Sequence, residues 1–398
     1  MSGATRNALI AAGLLLGLHG PAAAQSRLVD PRAFSVSPSF ARWSFSTPFE
    51  TDGLAVSTVT QLAVPVALSF TPVRNWRVDA SAAFTRGTVT TTDSSGESTL
   101  SLNGLTDAKV RVVGALSGER LWLTLGANLP TGRVRLSGEE AATIRILGAP
   151  ALRMQAPVLG SGLGLIAGAV YTGAIGGWAV GLGASWELRG TYTPLEADLA
   201  GGSGSVVDLQ PASAVHLSLG FDRLVGQGRL SILFVGDRYA TDVVTVRPAS
   251  GPAIESEYQL GPTLAGFIDY RVATTRVRDF RFSAAFRHRS EFTDNAGNKA
   301  PGSSGRTIDS RIAVTIGRAG RAGLLLALDG LLDSGLDIDN AVATAAMTSA
   351  AFTVGLDLSA GRVVLQPFVR GGFGNLDVAS ETTSGTFLGG GLTLRATW

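Results

Sequence analysis

The residues of this chain whose types and spacing could do chemistry begin with His216 and Ser218. Positions two apart on a β-strand share a face, so the imidazole and hydroxyl would be neighbours, with Asp222 further along. A histidine beside a serine could take the hydroxyl proton and create a nucleophile, as in a hydrolase. The interleaved residues are apolar: Val215, Leu217, Leu219 and Phe221. The sequence favours a polar pair turned away from an apolar solvent, with a lipid-modifying enzyme as the alternative.

Charged side chains at alternate positions are the second candidate. Arg281, Arg287 and Arg289 share one parity of a segment, and Arg311 has the inward parity of the next segment. On neighbouring strands they would form a basic strip that favours anions or orients polarised ligands. Nearby carboxylates could instead balance these charges and hold the structure open. The predicted selectivity residues are Arg77, Lys109, Arg111, Arg281, Arg287, Arg289 and Arg311.

Metal and cofactor chemistry has little support in the sequence. The chain contains no cysteine, which excludes disulfides and thiolate ligands. Asp333, Asp337 and Asp339 lack the glycine and terminal glutamate of an EF-hand loop, so a solvated acidic loop is the better interpretation. Lys and Arg number 33 against 31 Asp and Glu, a balance that does not indicate a nucleic-acid partner. We therefore predict no metal, no cofactor and no nucleic acid.

The elements that position these side chains have a hydrophobic period of two. Counting back from Trp398, Ala396, Leu394, Leu392 and Leu388 alternate with small or polar residues. Similar alternation recurs near 54–70, 76–85, 107–116, 178–189, 212–224, 257–272, 278–293, 305–317 and 350–360. Mean hydropathy is +0.25 and charged residues are only 16%, without a long apolar run. This predicts an all-β chain, a transmembrane antiparallel up-and-down β-barrel.

Connection lengths predict the orientation of the barrel. Short turns near 72–75, 117–119, 173–177, 225–228, 273–279, 318–322 and 360–361 alternate with long loops near 93–104, 131–160, 191–212, 242–256, 294–304, 333–348 and 375–385. In outer-membrane barrels the short turns are periplasmic and the long loops extracellular. The count gives about 16 strands with both termini periplasmic. The first segment, 33–46, slips parity between Phe40 and Trp43, so 14 strands is the fallback.

Aromatic residues support the same orientation. Eight of them combine the outward parity of their strand with a position beside a short turn or a terminus: Phe70, Trp76, Tyr171, Trp178, Phe221, Tyr270, Phe280 and Trp398. Aromatic side chains collect at membrane interfaces. The sequence therefore predicts a periplasmic aromatic girdle. Trp122 has the inward parity and is expected in the lumen.

The first residues have the composition of an export signal. Arg6 is followed by a short apolar core and by Ala22-Ala23-Ala24, a small-residue cleavage site. We predict a signal peptide over 1–24 and a barrel over 25–398, located in the outer membrane of a Gram-negative-type cell.

Two short motifs resemble a known family. Asn103-Gly104-Leu105-Thr106-Asp107-Ala108-Lys109-Val110 and Asn128-Leu129-Pro130-Thr131-Gly132 are similar to motifs of the outer-membrane family named after the meta-cleavage pathway of phenol degradation, with Thr106 in place of a glycine. The resemblance implies a barrel that passes small, often hydrophobic or aromatic molecules. It assigns no functional residues, because the motifs lie at strand ends and a turn.

The loop at 131–160 could narrow such a barrel. Residues 138–147 have helical composition with two acids at the start, as a helix dipole favours. The helix could fold inward or pack across the rim; the constriction candidates are Glu139, Glu140, Ile144 and Leu147. The predicted function is passive transfer of small molecules through the lumen. Alternatives are a carrier with a partly plugged lumen, the His216/Ser218 enzyme, and a structural or surface-binding barrel. Expected partners are small solutes, outer-membrane lipid with lipopolysaccharide, and the barrel assembly machinery through Trp398.

Overall fold

The computed structural model describes most of the chain after the predicted export signal. The described residues are 32–51, 54–73, 75–93, 96–116, 118, 120–156, 159–197, 205–248, 250–274, 277–294, 296–317, 322–337, 344–378 and 381–398. The predicted signal peptide and Asp339 lie outside them.

The described chain is built almost wholly from strands. They are β1 (Arg32–Val36), β2 (Ser39–Thr51), β3 (Leu54–Val73), β4 (Trp76–Asp93), β5 (Gly96–Leu105), β6 (Ala108–Leu116), β7 (Leu121–Leu129), β8 (Gly164–Ile175), β9 (Trp178–Arg189), β10 (Tyr192–Ala197), β11 (Ser205–Gln210), β12 (Ala214–Val225), β13 (Gly228–Tyr239), β14 (Thr241–Arg247), β15 (Ile254–Gln259), β16 (Thr263–Val272), β17 (Val277–Arg289), β18 (Thr293–Asp294), β19 (Gly305–Ile316), β20 (Gly323–Asp337), β21 (Thr344–Ala360), β22 (Val363–Val378) and β23 (Glu381–Thr397). One helix, α1 (Gly138–Gly148), precedes a short 3-10 turn at Pro150–Leu152.

Antiparallel pairing closes the main sheet into a barrel. β1 and β2 both pair with β3 and with β23, so they are two parts of one strand interrupted at Ser37-Pro38. β5 and β6 both pair with β4 and are likewise one strand, interrupted at Thr106-Asp107. The 18 segments of this sheet therefore make a closed barrel of 16 strands, which confirms the predicted number. Pro65 lies opposite the first interruption, where its missing N–H is tolerated, and its carbonyl accepts from Ser37.

Several predicted long loops are instead strands. β10, β11, β14, β15 and β18 form a five-stranded sheet whose order repeats that of β9, β12, β13, β16 and β17 below it. The connections at 93–104 and 375–385 are hairpins that continue β4–β5 and β22–β23. The five strands of the extracellular sheet are only two to seven residues long, which is too short for their alternation to distinguish them from loops, although their backbones are paired. Among the described residues of the predicted long loops, those of 131–160 leave the barrel wall and enter the lumen.

The outer surface is apolar. Side chains of the outward parity include Leu182 at 63% exposure, Leu388 at 62% and Leu217 at 59%, and they recur on all sides of the barrel. A closed barrel that exposes such a continuous apolar band spans a membrane with its strands. The predicted periplasmic girdle faces outward, with Tyr171 and Trp398 about half exposed and Trp178 against Phe221 at 6.4 Å between ring centroids. The chain is a transmembrane β-barrel of the outer membrane. No helix among the described residues is long and apolar enough to cross a membrane.

Two parity predictions need correction. β2 does not slip: Phe40 faces outward at 40% exposure, whereas Trp43 and Phe45 face the lumen and are buried. The parity seemed to change at Trp43 because a polar lumen was expected, and an aromatic residue was therefore assigned to the outer face. In β3 the pairing shifts between Val56 and Thr58, so Val56 is fully buried on the inner face rather than outward. A bulge adds one residue and reverses the parity beyond it.

The barrel lumen as candidate functional site

The described residues of the loop at 131–160, which are 131–156 and 159–160, fold into the barrel, and we call them the lumen segment. Its helix α1 starts with a capping box: the Ser137 hydroxyl accepts from the Glu140 N–H and the Glu140 carboxylate accepts from the Ser137 N–H. Glu140 also forms a 2.7 Å ion pair with Arg133. The helix packs against β3, β4, β5 and β10. The sequence allowed the helix either to fold inward or to pack across the rim. These contacts show that the segment folds inward.

One wall of the barrel holds the lumen segment through its backbone. Gln61 on β3 is 1% exposed, and its Oε1 accepts from the N–H groups of Gln155 at 2.8 Å and Ala156 at 3.2 Å. Its Nε2 donates to the Ala156 carbonyl at 3.0 Å. Trp43 on β2 donates from Nε1 to the Leu152 carbonyl at 3.1 Å. These side chains satisfy buried backbone groups that would otherwise lose their hydrogen bonds to water.

Strands β19 and β20, four to six strands round the barrel from β2 and β3, hold another part of the same segment. Arg153 Nη2 lies 2.8 Å from the Gly330 carbonyl on β20 and 2.8 Å from Asp309 on β19. Next to this contact, Asp329 pairs with Arg311 at 3.2 Å and with Arg370 at 3.4 Å. Nearly half the barrel circumference, seven of its 16 strands, separates β19 and β20 from β7 and β8, between which the segment arises. The lumen segment therefore crosses the lumen.

An apolar cluster fills the space between the segment and the extracellular half of strands β2–β4 and β21–β23. Its buried members are Trp43, Phe45, Phe49, Val56, Val59, Val89, Ile146, Leu147, Ala149, Ala151, Leu152, Met154, Met347, Leu376, Val378 and Phe387. Leu147 lies over Gly87, where a Cβ would meet its side chain at 2.1 Å. A small cavity of about 10 Å³ remains between Phe49, Leu376 and the segment.

A clasp at the strand interruption between β5 and β6 holds the two ends of the lumen segment together. Asp107 is 4% exposed; its Oδ1 accepts from the Gly132 N–H at 3.0 Å and its Oδ2 from the Ser161 N–H at 2.7 Å. The Asp107 N–H donates to the Leu159 carbonyl at 2.9 Å. A Cβ at Gly132 would lie 2.3 Å from that carbonyl, which explains the glycine. The two motifs that resemble the phenol-pathway family thus meet in space, with Thr131 accepting from the Ala108 N–H at 2.8 Å.

The predicted selectivity residues lie on the inner wall, mostly beside carboxylates. Arg77 pairs with Asp79 at 2.9 Å and Arg281 pairs with Asp269. Arg111 lies within electrostatic range of Asp79 and Glu187, and Lys109 is exposed beside it on β6. Arg311 belongs to the Asp329 network described above. These contacts agree with the alternative in which nearby carboxylates balance the inward arginines.

Arg287 and Arg289 differ from the rest of the predicted strip. Neither forms a close ion pair within the described part of the barrel; Arg289 donates to the Ser303 carbonyl at 3.4 Å. Arg287 is exposed to the lumen, and both lie within electrostatic range of Asp333. Within the basic strip, the two arginines at the extracellular end thus lack a close carboxylate partner among the described residues.

The predicted constriction residues have separate surroundings. Glu139 and Glu140 occupy the first turn of α1, and Glu140 completes the capping box and pairs with Arg133. Ile144 packs beside Leu102 of β5, and Leu147 belongs to the large apolar cluster. Sequence reasoning missed Gln61, Trp43 and Arg153 as anchors. The only signal for Gln61 was a lone amide at an inward position of a strand.

The His216 site does not have the geometry of a hydrolase. His216 Nδ1 lies 2.8 Å from Asp237 and Nε2 lies 3.3 Å from Glu187, so both ring nitrogens meet carboxylates rather than Ser218. Asp222 instead accepts from Arg229 and Ser231, each at 2.6 Å. All of these side chains face the lumen, as predicted. Among the described residues, no group of three or more His, Asp and Glu side chains is placed to hold a metal ion.

Comparison with known proteins gives distant likenesses of the whole fold. No family model matches the chain, and no curated protein matches it. Among solved structures, it is similar to a mutant of the TodX monoaromatic hydrocarbon channel, at 10% identity and a TM-score of 0.42 over 93% of this chain and 91% of that one. OpdK of Pseudomonas aeruginosa with vanillate gives 12% and 0.42 over 92% and 99%. OprB of Pseudomonas putida gives 8% and 0.45 over 94% and 96%. At such values the likeness carries no argument about solutes or mechanism.

Proposed function

We propose that this chain is an outer-membrane channel through which small molecules diffuse, and that the lumen segment limits their passage. The observation that supports it is the division of the lumen. The segment is seated against β2–β4 and anchored to β19–β20, while the wall from β9 to β17 bears charged side chains such as Glu187, Arg189 and Arg287. A polar wall beside a crossing segment suits diffusion of solutes through water.

The solutes are proposed from the family resemblance to be small and in part hydrophobic or aromatic. The anchored segment also favours a second candidate, a carrier of hydrophobic compounds with a partly plugged lumen, because the segment and the apolar cluster fill part of the barrel. The lipid-modifying enzyme has no comparable support, since His216 is engaged by Asp237 and Glu187. A structural or surface-binding barrel would not require an anchored segment in its lumen.

The decisive test is reconstitution of the purified barrel. In planar bilayers and liposomes we expect conduction of ions or entry of small sugars or aromatic tracers. A variant with residues 138–147 replaced by a short Gly-Ser linker should conduct more than the intact chain. A correctly folded barrel that passes no ions, sugars or aromatic tracers, with or without residues 138–147, would contradict the channel. Lipid hydrolysis that is lost in Ser218→Ala would favour the enzyme instead.

Two partners belong to the same proposal. The barrel is expected to contact outer-membrane lipid, including lipopolysaccharide, and to be recognised by the assembly machinery through Trp398, which is half exposed on the outer face. Replacing Trp398 with Asp removes an interfacial anchor and a terminal signal. The amount of heat-modifiable barrel in the outer membrane should fall, and unchanged levels would argue against recognition at this residue.

A further inference from the structure

Basic side chains on the outer surface follow a regular pattern. Arg42 comes one outward position after Phe40, and Arg86 one outward position after Phe84. The large apolar residues that precede them belong to the lipid-facing band, at 40% and 42% exposure. Each arginine is itself exposed and lies on the extracellular side of that band. The arginines therefore stand at the height where hydrocarbon gives way to headgroups.

The same arrangement recurs on the far side of the barrel. His288 follows Phe286 on β17, and Arg306 is adjacent to Ile308 on β19, again on the extracellular side. His288 and Arg306 are direct cross-strand partners. Arg238 of β13 lies two outward positions beyond Phe234, the lipid-facing apolar residue of the same strand. These five residues form two groups, Arg42 with Arg86 around β3, and Arg238, His288 and Arg306 across β13–β19; we call them the basic girdle.

Acidic residues avoid this height. In the described barrel strands, the outward-facing acidic side chains are Glu50, Glu97 and Asp377. Each lies at the tip of its hairpin, at 51–54, 93–96 or 378–381, beyond the girdle. A surface that only had to reach water would have no reason to exclude carboxylates from one level. The sign of the charge therefore points to an anionic ligand.

We propose that the basic girdle binds the phosphate groups of lipopolysaccharide in the outer leaflet. Arginine is suited to this partner, because its planar guanidinium can make two hydrogen bonds to one phosphate. Arg42 and Arg86 lie on either side of β3, about 10 Å apart across the strands. They can thus engage either two phosphates of one headgroup or those of neighbouring molecules. The proposal rests on the barrel and its orientation, not on transport.

The test uses purified lipopolysaccharide and its dephosphorylated form as probes for the full-length folded barrel. Native mass spectrometry counts the molecules that stay bound in detergent. We expect retention of the phosphorylated form over the dephosphorylated one, and about fivefold weaker retention for each girdle arginine replaced, tested with Arg42→Gln/Arg86→Gln and Arg238→Gln/Arg306→Gln.

The matched control is Arg32→Gln/Arg223→Gln, which removes two exposed arginines from the periplasmic end of the same outer face. Heat-modifiability shows that every variant is folded before binding is measured. Retention that falls only for the girdle variants supports the proposal. Equal loss in the control, equal binding of the dephosphorylated form, or full retention by both girdle variants together would overturn it.

Discussion

The two halves of the lumen follow different rules. In the extracellular half, the inner faces of β2–β4 and β21–β23 present Trp43, Phe49, Val59 and Phe387 to the lumen segment. In the periplasmic half, the inner face presents ion pairs such as Arg77 with Asp79 and Arg271 with Asp279. Along β2–β4 and β21–β23 the extracellular half is thus packed like the core of a soluble protein. The periplasmic half presents charged side chains to water, as the extracellular part of β9–β17 also does. Stability and passage should respond separately to changes in each half.

The largest effect is expected for a cavity in the extracellular half. Trp43→Ala removes a nearly fully buried ring and a hydrogen bond to the Leu152 carbonyl, and should cost about 3–5 kcal/mol in the free energy of unfolding. Because that ring packs against the lumen segment, conductance should also rise. Trp122→Ala in the periplasmic half is the matched control, since Trp122 packs on Val170 away from the segment. Equal conductance of the Trp43→Ala and Trp122→Ala variants would contradict the expectation that only the extracellular contact limits passage.

The clasp gives the next largest effect. Asp107→Ala leaves the N–H groups of Gly132 and Ser161 without their acceptor and should destabilise the seated segment by about 1–3 kcal/mol. The barrel itself should remain folded, because β5 and β6 pair independently with β4. Since the chain has no cysteine, Ala151→Cys, buried at 1% exposure, can report the position of the segment by its reaction with a maleimide.

We expect the Ala151→Cys probe to be protected in the parent chain and labelled rapidly after Asp107→Ala. Ser101→Cys on the exposed part of β5 should react in both backgrounds. Asp107→Asn should be intermediate, because the amide keeps one acceptor oxygen. Protection that persists in Asp107→Ala would mean that the wall contacts alone seat the segment.

Charge changes should alter selectivity more than stability. Arg287→Gln/Arg289→Gln removes two charges without close carboxylate partners and should shift selectivity toward cations, as measured by reversal potentials. Arg281→Gln/Arg311→Gln should shift selectivity in the same direction. It should also lower stability, because Asp269 and the 5% exposed side chain of Asp329 lose a partner. A shift toward anions, or no shift when all four arginines are replaced together, would show that the basic strip does not set selectivity.

The smallest effect lies in the extracellular sheet, outside both halves. Burial raises the pKa of the Asp242 carboxyl, although its Oδ1 accepts from the Ala212 N–H at 2.8 Å. The folded state therefore favours the protonated form, and stability should fall as pH rises from the ordinary aspartate pKa through the raised one. Asp242→Asn keeps the acceptor and should remove this slope while changing stability at neutral pH by about 1 kcal/mol or less. An unchanged slope in urea titrations would exclude Asp242 as its source.

Sequence patterns predicted the barrel wall well because lipid imposes a period of two on every spanning strand. The 16 strands, the outward girdle and the inward Trp122 all follow from that constraint. The pattern failed where lipid does not act. A bulge reversed the parity at Val56, and the strands of the five-stranded extracellular sheet, at two to seven residues, are too short for alternation to distinguish them from loops.

The candidate site was only partly predictable. Alternation gave the inward charges, and composition gave α1, but the partners of the lumen segment depend on where it lies across the barrel. Gln61 meets Ala156 from 95 residues away, and Arg153 meets Gly330 from 177 residues away. No local pattern encodes such contacts. Trp43 was visible as an aromatic of unexpected parity, a sign that one part of the lumen would be filled rather than wet.

The long reach of Arg153 has a consequence for biogenesis. Its anchors on β19 and β20 are synthesised about 160 to 180 residues after it, so the lumen segment cannot complete its contacts while only the first half of the barrel exists. Closing so long a loop is entropically costly until the wall holds both ends in place. The contacts of Arg153 with β19 and β20 would therefore form only in a complete barrel. In incomplete assembly intermediates, the lumen segment should be undocked and sensitive to protease.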